Sequence, residues 1–277
     1  MTSLANCCEQ LAKPLARLNA DNFSGSLIEG INGLVDFDDA SVIVYETANL
    51  PVFEFIKPGK HEPSSLDIFM QGAFLLDPYY VAATRDNKRG FFRLRELAPD
   101  GFRRSEYYRI YYGLSGLQDE CGYLISIQDG GFINISLLKT QSKAFTERQL
   151  LLLREIEPMV SGLCSAHWKQ KAHSDQPGVK LRNQLGAALG SFGTSILTRR
   201  ESQVVNLILL GHTTRMLAKA LGISPETVKL HRKHSYKKLD ISTQSELFYL
   251  FIDSLMSARK YSGDDPLIAY LKKPLEA

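Results

Sequence analysis

The side chains with the clearest chemical potential lie in one short cationic stretch of the C-terminal third. Between Thr227 and Leu239 there are five lysine or arginine residues and no carboxylate. Four side chains recur at the spacing i, i+3, i+4 and i+7, which places them on one side of a helix. They are Lys229, Arg232, Lys233 and Tyr236. A helix fits the DNA major groove, where lysine and arginine reach guanine O6 and N7 and other cations neutralise phosphates. The stretch predicts a DNA-reading helix, although a solvated basic face would show the same stripe.

The preceding elements have the order needed to position this helix. Thr198 with Glu201 three residues later predicts a capping box at a helix start, and a glycine ends that helix. A short helix follows, and Gly222 can turn the chain in the left-handed conformation. Ser224 then caps the cationic helix, with Pro225 at its first position. This order favours a helix-turn-helix over an isolated basic helix.

Positive charge is concentrated in the same part of the chain. Residues 195–277 carry 13 Lys and Arg against 8 Asp and Glu, whereas residues 1–194 carry 20 against 22. This asymmetry is typical of a phosphate-binding module beside a near-neutral domain. The four cysteines match neither a disulfide framework nor a CxxC pattern, and no apolar run approaches the ~18 residues that span a bilayer. We therefore expect a cytoplasmic protein with reduced thiols and no membrane partner.

The first 168 residues predict an α/β/α sensory domain of the GAF or PAS kind, so the fold class is α+β with an all-α four-helix C-terminal domain. Apolar periodicity and turn residues place the elements. Helices are predicted over 4–18, 26–34, 64–74 and 105–114, and strands over 41–46 and 52–57. Phe145–Trp168 is predicted as one long helix, capped by Thr146 and kinked at Pro158.

A β-hairpin is the clearest strand signal. Asp129-Gly130 is a two-residue turn sequence inside the apolar run 122–138, which predicts a pairing of Gln128 with Gly131. This register puts Tyr123, Ile125, Ile127 and Phe132 on one face of the hairpin. It puts Leu124, Ile133, Ile135 and Leu137 on the other.

The predicted organisation has four parts: a ligand-sensing domain at 1–168, a polar, glycine-rich linker at 169–194, a helix-turn-helix domain at 195–257, and an extension at 258–277. The linker has weak helical potential over 181–189. Residues 266–271 of the extension form a short apolar piece that either docks on another surface or frays.

The C-terminal motifs resemble those of the LuxR-type (LuxR/FixJ) four-helix DNA-binding domain over about 60 residues. The matching residues are Leu197-Thr198-x-x-Glu201, Gly211, Leu217-Ala218, Leu221-Gly222-Ile223-Ser224, Thr227-Val228-Lys229-x-His231 and Lys237-Lys238-Leu239. The resemblance implies that the third helix enters the major groove and that the fourth, over 243–255, makes a dimer contact. Two positions depart from the family pattern: Arg199 replaces a proline and Ser235 replaces an aliphatic residue.

Site residues follow from the same resemblance. By position, Lys229, Leu230 and Lys233 would meet base edges. Thr227, His231 and Lys237 would contact or brace against phosphates. The full set expected at the DNA is Thr198, Ser224, Thr227, Lys229, Leu230, His231, Arg232, Lys233, Tyr236 and Lys237.

An effector site is predicted in the N-terminal part. Residues 69–112 hold 11 of the 26 phenylalanines and tyrosines, and aromatic side chains with a few polar groups line ligand cavities as well as cores. An aspartate beside aromatics suits a cationic amine, whereas the nearby Arg93, Arg95, Arg103 and Arg104 would select an acid. Asp77-Pro78 is also an ordinary helix start. The predicted effector contacts are Tyr45, Phe55, Phe74, Asp77, Tyr79, Tyr80, Tyr111 and Ser126.

The effector predicted here is not an acyl-homoserine lactone. Asp77-Pro78 resembles the Asp-Pro of the LuxR autoinducer domain, but the tryptophans and the tyrosine of the lactone pocket are missing, since Trp168 is the only tryptophan. The chain therefore resembles a LuxR "solo", a regulator that responds to some other small molecule. The alternative is a ligand-independent regulator whose N-terminal domain serves dimerisation or a protein partner.

The predicted partners are double-stranded operator DNA, a second copy of the chain, an effector of unknown identity and RNA polymerase. No cofactor or metal is expected, because nothing ligand-like joins His231 and His234. GxSxG, HExxH, P-loop and dinucleotide motifs do not occur, so no enzyme activity is expected.

Overall fold

The computed structural model describes residues 4–46, 51–57, 69, 72–112, 116–141, 143–169, 189–258 and 265–271. The chain divides into two compact units. One comprises residues 1–60, 82–97 and 115–179, and the other comprises residues 61–81, 98–114 and 180–277. The second unit thus combines the C-terminal segment with two pieces of chain that precede residue 115. Of the predicted helices over 64–74 and 181–189, only residues 69, 72–74 and 189 are among the described residues.

The first unit is built on a five-stranded antiparallel sheet in the order β2-β1-β5-β4-β3. The strands are β1 (Asp39–Tyr45), β2 (Val52–Ile56), β3 (Gly90–Arg93), β4 (Asp119–Ser126) and β5 (Phe132–Lys139). The first two were predicted over 41–46 and 52–57, and their existence is confirmed. A mixed N-terminal part followed by a helical C-terminal part is likewise confirmed.

The helices described before residue 170 are distributed over both units. They are α1 (Leu4–Leu15), α2 (Phe23–Asn32), α3 (Pro78–Thr84), α4 (Leu94–Leu97), α5 (Glu106–Tyr111), α6 (Glu147–Glu155) and α7 (Glu157–Trp168). Of these, α1, α2, α6 and α7 share one buried apolar cluster with the sheet. Phe23 of α2 packs in that cluster and is T-shaped to Trp168, with ring centroids 5.6 Å apart. The single tryptophan is therefore part of the core.

The predicted hairpin register is wrong by one residue. Ser126 pairs with Phe132, and a short 3-10 turn over Gln128–Gly130 connects the strands. The turn holds one more residue than a two-residue loop, and Gly130 takes its positive φ of 75°. Because side chains alternate along a strand, a one-residue shift moves each partner to the other face.

The corrected register separates an apolar face from a mixed face. Tyr123 pairs with Ile135, and Ile125 pairs with Ile133, all on the face that packs against the helices. The opposite face carries Leu124 and Ser126 of β4 with polar side chains of β5. These are Asn134 and Ser136, both buried. The polar residues therefore share one face, which the predicted pairing had divided.

The single long helix predicted over Phe145–Trp168 is instead two helices. The α6 helix starts with a capping box between Thr146 and Gln149, as Thr146 was expected to provide, and ends before Ile156. Pro158 occupies the second position of α7, where the missing N–H has no intrahelical partner to lose. The proline thus marks a new helix start.

Downstream of residue 191, the described part of the second unit contains the helices α8 (Arg199–Leu209), α9 (Thr214–Leu221), α10 (Pro225–Lys238), α11 (Gln244–Ala258) and α12 (Pro266–Leu271). Val204, Val205, Ile208 and Leu209, which recur at helical spacing along α8, are buried. In α9 the buried residues are Leu217 and Ala218, whereas Ala220 is exposed.

The C-terminal extension docks on its own unit. The α12 helix packs along α11, with Leu267 buried. One oxygen of the buried Asp265 carboxylate accepts hydrogen bonds from the amides of Gly193 (2.9 Å) and Leu267 (3.0 Å), and the other accepts from the amide of Ser195 at 2.8 Å. The extension is therefore anchored to the chain that enters α8.

Candidate nucleic-acid interface

Hydrogen bonds in the first turn of α8 fix the start of the helix-turn-helix. Oγ1 of Thr198 accepts from the amide of Glu201 at 3.3 Å, and Oε2 of Glu201 accepts from the amide of Thr198 at 2.8 Å. This reciprocal pair confirms the predicted capping box. Thr198 is therefore the N-cap of α8.

Glu201 also connects α8 to the cationic helix. Its Oε2 receives a hydrogen bond of 2.7 Å from Nζ of Lys238, at the end of α10. Burial alone would raise the pKa of the Glu201 carboxyl, but the hydrogen bonds from Lys238 and Thr198 outweigh it and hold the pKa below its ordinary value. One carboxylate thus fixes both the start of α8 and the end of α10.

The turn between α9 and α10 has the predicted geometry. Gly222 ends α9 in the left-handed conformation with φ of 64°. Ser224 accepts from the amide of Thr227 at 3.1 Å and caps α10, with Pro225 at the first position. Sequence reasoning missed the cap of α9, where Oγ1 of Thr213 accepts from the amide of Met216. The signal was available, since Thr213 stands directly after Gly211 and His212.

The inner side of α10 holds the helix against the unit. Val228 and Leu239 are buried. Ser235 is fully buried, and its hydroxyl donates to the carbonyl of His231 at 2.8 Å. The polar group at this aliphatic position of the family therefore has its own partner within the helix.

The outer side of α10 forms a cationic groove with the start of α11. Lys229, Arg232 and Lys233 are exposed, and Tyr236 beside them is half-buried, which confirms the predicted stripe. The groove is lined by Lys229, Arg232, Lys233, Tyr236, Lys237, Ile241, Ser242 and Gln244. The last three follow the turn after Leu239, and the helical periodicity of α10 could not indicate them.

The remaining predicted DNA contacts lie elsewhere on α10. Leu230 is 51% exposed. His231 and Thr227 are half-buried, and the hydroxyls of Thr227 and Ser224 lie 3.0 Å apart at the first turn. Within the described part of the chain, no group of three metal-ligating side chains comes together, at His231 and His234 or elsewhere.

The predicted effector residues of the sheet fall on opposite faces. Tyr45 stacks on Phe132 with centroids 4.6 Å apart and lies on the mixed face, as does Ser126. Phe55 pairs with Val42, and the Val42 side chain belongs to the helix-covered core. The Phe55 side chain packs against the same core. Phe55 is therefore separated from Tyr45 and Ser126 by the thickness of the sheet.

The other predicted effector residues form an aromatic cluster in the second unit. Phe74 meets Tyr80 at a centroid distance of 5.1 Å, and Tyr107 meets Tyr111 at 4.6 Å. The side chains of Phe74, Tyr79 and Tyr107 are fully buried. Tyr107 was not among the predicted contacts, although its spacing of four from Tyr111 on a helix could have indicated it.

Asp77 lies inside this cluster and is held by the chain itself. Its Oδ1 accepts from the amides of Tyr79 (2.7 Å) and Tyr80 (3.2 Å), and its Oδ2 accepts from the hydroxyl of Tyr107 at 2.7 Å. Burial raises the pKa of the Asp77 carboxyl, although these hydrogen bonds oppose the shift. The residue caps α3, as the helix-start alternative predicted.

Arg93, considered as a selector of acidic effectors, is a structural ion pair. Its guanidinium binds Asp119 at 2.7 Å and Glu147 at 3.3 Å, and the side chains of Arg93 and Asp119 are nearly buried. Asp119 also accepts from the amide of Phe145 at 3.2 Å. These contacts join β3, β4 and the start of α6.

Comparisons with known proteins bear on this geometry. The family model for bacterial regulatory proteins of the luxR family matches residues 195–251, which contain the cationic groove. The HTH-type transcriptional regulator of the exeN 3′ region in Aeromonas salmonicida is 33% identical over 189 residues, or 66% of this chain and 96% of that protein. The chain belongs to the LuxR family. Members of this family are transcriptional regulators and not enzymes.

Other LuxR-type relatives match a smaller part. The transcriptional regulatory protein MctR of Rhizobium johnstonii is 38% identical over 61 residues, which are 22% of this chain and 28% of that protein. The crystal structure of the VqsR LBD domain from Pseudomonas aeruginosa matches 60% of this chain and 97% of its own length, with a TM-score of 0.50 and 22% identity. The N-terminal part of this LuxR-family chain therefore shares that fold. None of the described helices has the length and hydropathy to cross a membrane.

Proposed function

We propose that this LuxR-family regulator binds DNA in a sequence-specific manner by placing α10 in the major groove. The observation that carries the proposal is the groove of α10 and α11, where Lys229, Arg232 and Lys233 stand exposed beside Tyr236 and Lys237. Three exposed cations on one helical face match the requirement for reaching base edges and phosphates together. The opposite face is anchored by buried residues and by the Lys238 contact, so the helix is presented as a rigid element.

The roles within α10 follow from exposure and position. Lys229 and Lys233 are assigned to guanine edges, and the exposed Leu230 between them suits contact with a thymine methyl group. Lys237 at the end of the helix and the half-buried Thr227 and His231 are assigned to phosphates, which position the helix without reading sequence.

A homodimer is proposed on the apolar side chains of α11 that stay partly exposed. Tyr249 and Met256 are 45% and 42% exposed and lie seven residues apart, on one helical face. A pair of apolar side chains at this spacing is typical of a helix that packs against a second copy. Dimers read two half-sites, so a palindromic operator is expected. RNA polymerase stays a predicted partner at the promoter.

The regulator is further proposed to respond to a small molecule bound in its N-terminal part. The support is the buried aromatic cluster around Asp77, in which Phe74, Tyr79 and Tyr107 are fully buried. The alternative, a ligand-independent regulator, is favoured by one specific observation. Asp77 has three donors from its own chain, so it offers little acceptor capacity to a ligand.

The DNA-binding proposal is tested by selection from a random-sequence duplex library, followed by fluorescence anisotropy on the selected site. The full chain should enrich one palindromic motif, whereas Lys229→Ala combined with Lys233→Ala should enrich none. Lys143→Ala, at an exposed lysine outside the second unit, is the matched control and should enrich the wild-type motif. Equal enrichment by the double variant would refute the assignment of α10.

The effector proposal is tested by a thermal-shift screen of metabolites against the full chain. A true effector should raise the melting temperature and change the affinity for the selected duplex. A hit that stabilises the protein without changing DNA affinity would favour the ligand-independent alternative.

A further inference from the structure

A segment from the aromatic part of the second unit lies directly on the helix-turn-helix. A Cβ atom built on Gly101 would collide with the carbonyl oxygen of Gly211 and would stand 3.0 Å from the amide nitrogen of Thr213. Conversely, a Cβ atom on Gly211 would stand 3.1 Å from Cα of Phe102. The two backbones therefore touch at the turn between α8 and α9, at a distance that only glycine permits.

The neighbouring residue places a negative charge at the start of α9. Both carboxylate oxygens of Asp100 accept from the hydroxyl of Thr213, at 3.1 and 2.9 Å. Thr213 is the N-cap of α9, so the carboxylate stands at the positive end of that helix dipole. This contact satisfies the charge preference of a helix N-terminus with a group from the same chain.

A second contact anchors the same segment to α11. Oε2 of the buried Glu106 accepts from the hydroxyl of Ser245 at 2.8 Å, in the first turn of α11. The segment 100–106 thus touches the turn before α9 and the start of α11 together. Two separate contacts hold it more firmly than one surface hydrogen bond could.

The location matters because of how helix-turn-helix proteins meet DNA. The first helix of the pair, here α9, crosses the phosphate backbone while the second enters the major groove. The N–H groups and the dipole at a helix N-terminus favour a DNA phosphate. In this structure the carboxylate of Asp100 stands at that end of α9, with the same sign of charge as a phosphate.

We propose that the segment 100–106 is an autoinhibitory contact that must leave the start of α9 before the regulator binds its operator with full affinity. This inference rests on the proposed function and names a regulation of the same DNA-binding surface. The cationic face of α10 stays exposed throughout, so the segment lowers affinity by blocking a backbone contact and does not cover the base-reading residues.

The same segment is continuous with the aromatic cluster. Phe102 packs against Tyr107 and Tyr112 with centroid distances of 6.0 and 5.9 Å, and Tyr107 is the hydrogen-bond partner of Asp77. A ligand that binds the cluster better when Phe102 is displaced would favour the released segment by that difference in affinity. Effector binding at the aromatic cluster would thus be coupled to DNA affinity through the segment 100–106.

Gly101→Ala is the sharpest test. The backbone of Gly101 has φ of −92°, which alanine adopts freely, so the added methyl group disturbs only the packing on Gly211 and Thr213. We expect the variant to bind the selected duplex about five- to tenfold more tightly than wild type, within the range of allosteric couplings. Gly162→Ala, where an added Cβ meets nothing within 4 Å, is the control and should bind like wild type.

Asp100→Asn separates charge from packing. The amide keeps an acceptor for Thr213 but removes the negative charge, so a smaller gain in DNA affinity is expected. Asp86→Asn, at an exposed aspartate of the first unit, removes the same charge far along the chain and controls for net charge. If Gly101→Ala does not fold, as judged by its melting curve, the comparison of these two aspartate variants decides the matter.

Unchanged affinity in both Gly101→Ala and Asp100→Asn would overturn the inference. Weaker binding would also overturn it, because the segment would then be adding to the DNA-binding surface through its exposed Arg103 and Arg104. Failure of the proposed function looks different. In that case neither wild type nor any variant would bind a selected duplex.

Discussion

The hydroxyl of Tyr107 donates a 2.7 Å hydrogen bond to the carboxylate of Asp77, thirty residues earlier in the chain, and both side chains are buried. The other oxygen of that carboxylate caps α3 through the amides of Tyr79 and Tyr80. One side chain therefore connects a helix start to the aromatic residues of α5. Asp77 therefore has a structural role that does not depend on a bound ligand.

Removing this carboxylate should destabilise the protein more than removing its phenolic partner. Asp77→Ala loses a helix cap and leaves the Tyr107 hydroxyl buried without an acceptor, for a cost of about 2–4 kcal/mol. Tyr107→Phe removes only one hydrogen bond and should cost about 1 kcal/mol. Urea denaturation followed by far-UV circular dichroism measures both. A near-neutral Asp77→Ala would show that the cap and the hydrogen bond contribute little.

The ion pair between Arg93 and Asp119 should behave as a buried one. Arg93→Met leaves the Asp119 carboxylate without its closest cation and should cost about 3–5 kcal/mol. The double variant with Asp119→Leu should recover part of that loss, since no charge then stays uncompensated. Arg95→Ala is the comparison, because the Arg95 side chain is 65% exposed and should change stability by less than about 0.5 kcal/mol.

The contact of Glu201 with Lys238 predicts an acid-sensitive second unit. The pKa of Glu201 in the folded state lies below its ordinary value of 4.5, so the folded form binds the proton less readily than the unfolded form. This stabilisation is present above pH 4.5 and is lost as the pH falls through the lowered pKa. We expect Glu201→Gln to be about 1 kcal/mol less stable at pH 7, because it loses the charged member of the capping box.

The difference between wild type and Glu201→Gln should shrink as the pH is lowered, since a protonated glutamate resembles glutamine. Urea unfolding of both proteins at several values between about pH 7 and pH 3 tests this linkage. A gap that stays constant with pH would mean that the ionised carboxylate is not the stabilising group.

Two lysines of the exposed face, Lys233 and Lys237, should contribute to DNA binding in different ways. Lys233→Ala should weaken binding and relax one operator position, with a cost of about 1–3 kcal/mol. Lys237→Ala should weaken binding to all sequences equally and reduce the salt slope by about one unit. Anisotropy titrations at several salt concentrations, on matched and mutated operators, distinguish these outcomes. Identical behaviour of the two variants would contradict the division into base and phosphate contacts.

Local sequence signals were sufficient for the helix-turn-helix. Its caps and turns are made by residues close together in the chain, such as Thr198 with Glu201 and Ser224 with Thr227. Gly222 takes the left-handed conformation that its position after a helix predicts. Because each of these interactions closes within three or four residues, the sequence by itself determined the order of the helices and the exposed cationic face.

Contacts between distant segments were decided only by the tertiary structure. The register of β4 on β5 depends on one extra residue in the turn near Gly130, and both possible pairings bury apolar side chains. The approach of Gly101 to Gly211 and the bond from Tyr107 to Asp77 join residues that no local periodicity relates. Helix propensity and residue spacing report on interactions within a few residues of the chain. These contacts arise when whole helices and strands pack together, so the local sequence pattern does not predict them.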